Sequence, residues 1–349
     1  MGIWYATRED VKRALDVAET ARSNGQVDRA IESGTRSVES LTKRRFRPEA
    51  ATRYFDWPDR RRSRNYRLWI DQPAQIITVS TLTAGGTTIT SSDYFLEPAN
   101  DGPPYNRIEI DLASSASFQS ADTHQRAIAV TGLFGYANDE QQVGELSAEL
   151  AADEDASASA TFTQHIGVGD VLRIDTERAV VTRKTMVDST QNIGGNLTAS
   201  TSDVTVAVTD GTAFIEDMTI LIDSERMLIV DIAGNNLTVK RAWDGSVLAT
   251  HTSGADIYTL TGVELDRAAL GTTLAVHAST TAIYRHLVPA LVRELAIAEA
   301  INTVLQEQAG YGRTAGSAQT ERVMDVTGLE KLREDVRSKF GRKARVGAI

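Results

Sequence analysis

Between residues 282 and 309 the apolar positions Leu287, Val288, Leu291, Leu295, Ala298 and Leu305 recur at three- and four-residue steps, while Arg293, Glu294 and Glu299 fall off that line. This spacing predicts an amphipathic helix with one buried face. Pro289 fits a first turn, where no amide is needed for the ladder, so the helix is expected to begin near Leu287 and to stop at Gly310. The other strong helical pattern lies at the opposite end, from Thr7 to Lys43. There Thr7-Arg8-Glu9-Asp10 reads as a capped start, Val11, Ala14, Leu15 and Ala18 form a face, and Asn24-Gly25 reads as a stop. A second helix carries Val27, Ile31, Gly34, Val38 and Leu41, a narrow seam in which Gly34 permits close approach of a neighbour. A late helix whose partners lie far upstream implies a β excursion closed off by helices.

The intervening patterns are β-like. Short β-branched and aromatic runs at 51–57, 66–70, 76–82, 87–90, 94–96, 107–112 and 127–133 are separated by Gly, Pro, Asn and Asp, with Gly85-Gly86 as a hairpin turn. Further on, 171–181 and 219–230 align at an offset of 48 residues, with Ile174/Ile222, Asp175/Asp223, Glu177/Glu225 and Arg178/Arg226 identical. Each copy reads as a hairpin with a polar turn, and the two together as a duplicated small β-domain.

Charge sharpens the division. Residues 145–260 hold 18 acids and 7 bases, net −11, within a chain of net −10, so the remainder is +1. Four segments are therefore expected: 1–144, a helical and β domain; 145–260, an acidic duplicated β-insert that folds autonomously; 261–325, a returning long helix; and 326–349, a basic C-terminal tail. With no cysteine, disulfides and cysteine-based zinc or nucleophile chemistry are excluded. No apolar run approaches the length of a membrane span, and the start lacks signal-peptide character, so a soluble protein made in a cytoplasm is expected.

Candidate chemistry is sparse. His124, His165, His251, His277 and His286 share no metal-ligand spacing, and no cofactor motif is present, so neither a metal nor a cofactor is expected. Asp175/Glu177 and Asp223/Glu225 could act as paired carboxylates in glycan cleavage, but each pair lies beside Arg178 or Arg226 in a tight turn, which favours a local ion pair or turn cap. Between 43 and 67 there are ten bases against three acids. Arg44, Arg45, Arg47, Arg60, Arg61, Arg62 and Arg64 are the candidate basic surface, toward phosphate or an acidic partner.

The stretch Val38-Glu-Ser-Leu-Thr-Lys-Arg-Arg-Phe-Arg-Pro48, followed by Thr52-Arg-Tyr-Phe-Asp56, Ile76-Ile-Thr-Val-Ser-Thr-Leu82 and Asp93-Tyr-Phe-Leu96, resembles the head–tail connector (adaptor) proteins of tailed double-stranded DNA bacteriophages. The likeness covers about residues 5–135 and, more weakly, the late helix. The segment from Ile222 through Leu237–Arg241 to His251–Tyr258 resembles a β-module recurrent in phage virion proteins. Family members are commonly little more than the helical part, so nothing carries over for 145–260. The resemblance implies a virion protein of the head–tail interface, assembled in the host cytoplasm: a homo-oligomeric ring, usually twelve subunits, docked under the portal. It would meet a tail-side connector or tail terminator and continue the channel through which DNA passes without sequence-specific binding. The segment that inserts into the portal would be 326–349, with Leu332, Val336 and Phe340 as apolar anchors and Lys339, Arg342, Lys343 and Arg345 as the cationic part.

The sequence is thus read as an α+β chain: a helical connector domain with antiparallel sheet, a large duplicated β-rich insertion and a docking tail. Its expected role is a non-enzymatic ring adaptor in genome ejection. The alternative is a tail-fibre or decoration protein whose β-insert binds a receptor or glycan.

Overall fold

The computed structural model describes residues 3–15, 23–58, 64–70, 73–154, 157–158, 160–162, 165–308, 314–315, 322–323 and 327–342. It is an α+β chain in which antiparallel sheets pack against a helical layer. The helices are α1 (Arg8–Leu15), α2 (Asn24–Thr42), α3 (Ala290–Gln308) and α4 (Thr327–Phe340). At the head of α1 the Thr7 hydroxyl accepts the Asp10 N–H at 3.1 Å and the Asp10 carboxylate accepts the Thr7 N–H at 3.0 Å, a reciprocal cap. Asn24-Gly25 does not stop a helix, as its composition suggests, but opens α2, whose first free amides bond to the Ser23 carbonyl.

α3 is the centre of the helical layer, and it departs from the one-faced helix that the spacing predicts. Val292, Leu295 and Ala296 face a core shared with Tyr5, Val38 and Phe46, whereas Ala300 and Val304 enter a second core with Val11, Leu15 and Ile31. A helix held between two cores buries more than one stripe. Glu299, placed on the solvent side by the pattern, is buried and carries a two-pronged ion pair to Arg333 at 2.6 and 2.8 Å. Gly34 does serve close approach: a Cβ there would lie 2.8 Å from the Ala296 carbonyl oxygen, so α2 can only seat on α3 with glycine at this point.

The expectation of a free docking tail is overturned for its apolar part. Val336 is 0% and Phe340 6% exposed, and both belong to the core with Phe46 and Val292. The Phe340 ring stands edge-on to Phe46 and to Tyr136, at 5.8 and 5.6 Å between centroids. Leu332 packs half-buried against the same core. These side chains are used inside the subunit because the Phe46–Tyr136 surface would otherwise be exposed. Arg342 donates its backbone N–H to the Thr42 carbonyl, Lys339 lies over the Phe340 ring, and Lys343 and Arg345 lie outside the described residues.

The first β region comprises β1 (Glu49–Phe55), β2 (Arg67–Trp69), β3 (Gln75–Ala84), β4 (Thr87–Ile89), β5 (Tyr94–Glu97), β6 (Arg107–Ile110) and β7 (Ile128–Gly135). It forms a four-stranded sheet in the order β1-β7-β3-β4 and a three-stranded sheet β2-β6-β5, which enclose one core around Ile76, Leu82, Ile108 and Phe134.

The second region comprises β8 (Glu140–Leu146), β9 (Ser157–Ala158), β10 (Ala160–Phe162), β11 (Val171–Ile174), β12 (Glu177–Asn192), β13 (Thr205–Ala207), β14 (Thr219–Ile222), β15 (Glu225–Ala233), β16 (Asn236–Lys240), β17 (Asp256–Asp266) and β18 (Ala282–His286). They form one sheet in the order β10-β8-β18-β11-β12-β17-β14-β15-β16-β13, with β9 beside β17. The boundaries expected at 145 and 260 fall inside β8 and β17, and Leu172 and Ile174 of β11 share a core with Leu15 and Val304 of the helices. The acidic segment is therefore not divided from the helical body where its charge suggests. A separate core does exist, smaller and further in, formed by Ile193, Val206, Ile220, Met227, Leu237 and Ile257 among others.

The repeat explains this boundary. β11–β12 and β14–β15 are matching hairpins, but the first is completed by β17 and the chain after it, beyond the whole of the second. The second copy is inserted into the first at the far end of the β12–β17 ribbon, where Ile193 and Ala255 are hydrogen-bonded neighbours. The modules are nested rather than tandem.

Candidate functional site

The duplicated hairpins carry the residues singled out as paired carboxylates. The Glu177 carboxylate, 2% exposed, accepts from Arg267 Nε at 2.6 Å and a second Arg267 guanidinium N–H at 2.8 Å. It also accepts the Ala268 and Ala275 backbone N–H groups at 3.0 Å each and meets His277 Nε2 at 2.9 Å. In the inner module Glu225, 0% exposed, is held by Arg241 at 2.8 and 2.8 Å, by the Ala242 and Ala249 N–H groups at 2.9 Å, and meets His251 Nε2 at 3.0 Å. The outer ring nitrogens meet Asp175 and Asp223 at 2.8 and 2.7 Å.

The match extends to the backbone. Leu150 and His277 exchange both main-chain hydrogen bonds, as do Leu197 and His251. Thr272 and Ser246 each accept the N–H of the hairpin arginine, Arg178 or Arg226, and bond back to a carbonyl of their own loop. The loops share left-handed non-glycine residues at the same places, Ala242 and Asp244 in one and Ala268 and Leu270 in the other. Such residues are costly, and the glutamate that ties both ends of each loop offsets the strain.

Burial alone would raise the Glu177 carboxyl. The hydrogen bonds from Arg267, Ala268, His277 and Ala275 outweigh it and pull the pKa down to about 2. Glu225 is likewise brought to about 2, against its burial, by Arg241, His251, Ala249 and Ala242. A carboxylate with about four acceptor positions that is bonded five ways has no lone pair left for a substrate. The arginines adjacent in the chain are not the ones used: Arg178 turns to Asn138 and Glu140, and Arg226 to Asp244. The true partners lie in two copies of Arg-Ala-x-x-Gly-[Ser/Thr]-x-Leu-Ala-x-His, 241–251 and 267–277. That signal is visible in the sequence, and its spacing of 26 against 48 for the hairpins marks the nesting.

A cleft of about 140 Å³ opens between α1 and the inner module, bordered by Lys12, Arg13, Lys184, Arg226, Trp243 and Asp244. Buried charges stand behind it. Burial raises the Glu9 carboxyl against the opposing charge of Lys184, and lowers the Lys184 ammonium, which donates to the Ile166 carbonyl at 2.7 Å. His165 is pushed down to about 2 by burial and by the charges of Lys184 and Arg13.

The candidate basic surface is only partly a surface. Arg47 is buried, donates to the Trp4 carbonyl, and is lowered to about 10 by burial. Arg44 donates to the Phe340 carbonyl at 2.7 Å and to the Gln75 side chain. Arg45 is exposed beside Glu49, and Arg64 is exposed and bonded to the Tyr66 hydroxyl. Arg60, Arg61 and Arg62 lie outside the described residues. The structure assembles a different basic groove, of about 520 Å³, where α2 and α4 end side by side with Lys43, Arg337 and Arg342 on its walls. Among the described residues no carboxylate pairs with Lys43 or Arg337, no group of three side chains suits a metal ion, and no helix is long and apolar enough to cross a membrane. Comparison with family models, curated proteins and solved structures finds no match to this chain.

Proposed function

We propose that the chain is a non-enzymatic structural subunit of a phage head–tail adaptor, a ring between portal and tail that continues the DNA channel. The observation that carries this reading is the packing of the segment that bears the resemblance. Tyr5, helix α2 through Val38, Phe46 and the late helices α3 and α4 close on one core with Val292, Leu295, Val336 and Phe340. The non-enzymatic part rests on Glu177 and Glu225, whose carboxylates are saturated by the chain itself.

With Val336 and Phe340 committed to the core, the portal-facing surface we infer is the basic groove of Lys43, Arg337 and Arg342. Attraction there to an acidic portal surface steers docking and weakens with salt. The test is a native mass measurement of the purified protein, alone and mixed with portal. A ring of about twelve copies bound to portal is the expected result, and Lys43→Glu with Arg337→Glu should weaken binding and flatten its salt dependence. A monomer in both samples contradicts the reading. A monomer that binds a glycan through the inner module favours the tail-fibre or decoration alternative.

A further inference from the structure

The chain enters and leaves the inner module, residues 193–255, through the paired strands β12 and β17. The β12–β17 ribbon runs out of the outer core at Val181 and Val263 and enters the inner core at Ile193 and Ile257. Between these points its register breaks three times, at Val181/Arg183, Thr185/Val187 and Asp188/Gln191, and Gly262 stands opposite Thr185. Bulges of this kind bend a ladder and interrupt its backbone bonds. Here the Thr182, Ser189 and Thr259 hydroxyls donate to carbonyls across the breaks, so side chains replace part of the ladder where the ribbon bridges the cores.

Among the described residues, contact elsewhere consists of one small apolar facing and two ion pairs. Ile215 and Met218 of the inner module face Phe162 and Val263 across a gap of about 20 Å³. On the other side, Lys12 Nζ of α1 meets the Asp244 carboxylate at 2.7 and 3.0 Å, and Arg13 meets Asp217 at 2.5 Å, with the 140 Å³ cleft between them. Asp244 belongs to the Glu225-pinned loop and also pairs with Arg226 at 3.2 Å. The equivalent loop of the outer module is seated differently: a Cβ at Gly271 would overlap the Ala50 carbonyl oxygen, so that loop lies flush on β1. One loop type docks the outer module by close backbone packing, and among the described residues the inner one meets α1 through the Lys12–Asp244 ion pair.

We propose that the inner module is a hinged arm, latched against α1 by Lys12–Asp244 and Arg13–Asp217 and free to swing on the β12–β17 ribbon when those pairs are broken. Small, polar joints between folded units permit relative motion unless the shared interface is large and apolar. Solvent-accessible ion pairs hold such a joint weakly and are screened by salt. The arm carries 8 acids against 3 bases, so a cationic partner surface would compete with α1 for it.

The chain has no cysteine, so spin labels can be placed uniquely at Ser33→Cys on α2 and Thr201→Cys on the arm, both exposed. Pulsed electron–electron distance measurement on the full chain should give one narrow distance at low salt. At about 1 M salt, where the screening length is about 3 Å, a second, longer distance should appear. Asp244→Lys should raise the open fraction roughly fivefold, and the swap Lys12→Asp with Asp244→Lys should restore the narrow distance. A single unchanged distance at high salt in the chain with its native latch overturns the proposal, whether or not the charge-reversed variants fold.

Discussion

Glu177 and Arg267 stand 90 residues apart in the chain and share a buried two-pronged ion pair at 2.6 and 2.8 Å. Between them lies an entire second copy of the same device, Glu225 with Arg241 at a separation of 16 residues. Each glutamate closes a module by tying the first strand pair to the strained loop that follows the last strand. Breaking a buried pair from one side leaves an uncompensated charge, which costs roughly 3–5 kcal/mol. Glu225→Gln should therefore lower stability by about that much and Glu177→Gln by a similar amount, read as urea midpoints at pH 7. A loss below about 1 kcal/mol in both, as for a turn cap alone, contradicts the pinning of the modules by these residues.

Acid should unfold the protein in two stages. His286 is buried, bonded to the Phe46 carbonyl, and lowered to about 3 by burial and by the charge of Arg47. A histidine held neutral stabilises the fold fully above its unfolded value of 6.5 and loses that contribution as the pH falls, at about 1.4 kcal/mol per pH unit. Glu177 and Glu225, held near 2 against an ordinary 4.5, keep theirs above 4.5 and lose it between there and 2. Melting temperature should decline gently below pH 6.5 and steeply below 4.5. His286→Gln should reduce the first-stage slope and leave the part that His165 contributes, and a slope unchanged in that variant contradicts the assignment.

The last helix should behave as core. Phe340→Ala removes a buried ring from contact with Phe46 and Tyr136 and should cost roughly 3–5 kcal/mol. Truncation before α4 should expose Val292 and Phe46 and cause aggregation. A truncated chain that melts like the full one returns α4 to the role of a loose tail.

Much of this fold is legible in the sequence because it is local. Period-2 runs locate most of the strands up to residue 135, the Thr7 cap locates α1, and the seam around Gly34 points to a close helix partner. Illegible features depend on long-range placement. The single apolar stripe on α3 gives no sign that Val292 and Val304 serve different cores, and an amphipathic α4 looks alike whether its apolar face meets a partner or its own chain. At the pinned clusters, the repeat of Asp-x-Glu-Arg is visible, while proximity in sequence points to the wrong arginines. Arg178 is one residue from Glu177, yet the bond goes to Arg267, because two hairpins followed by two loops in reverse order close as nested units.

The nested architecture is tested most directly by a thermal unfolding scan of residues 193–255 produced alone. Their ends already meet through the Ile193–Ala255 hydrogen bond, and their core of Val206, Ile220, Met227 and Leu237 is complete except for Ile257. Nesting predicts a cooperative transition with strand-type circular dichroism, abolished or strongly lowered by Glu225→Gln. An isolated segment with no cooperative transition, or one indifferent to Glu225→Gln, contradicts it.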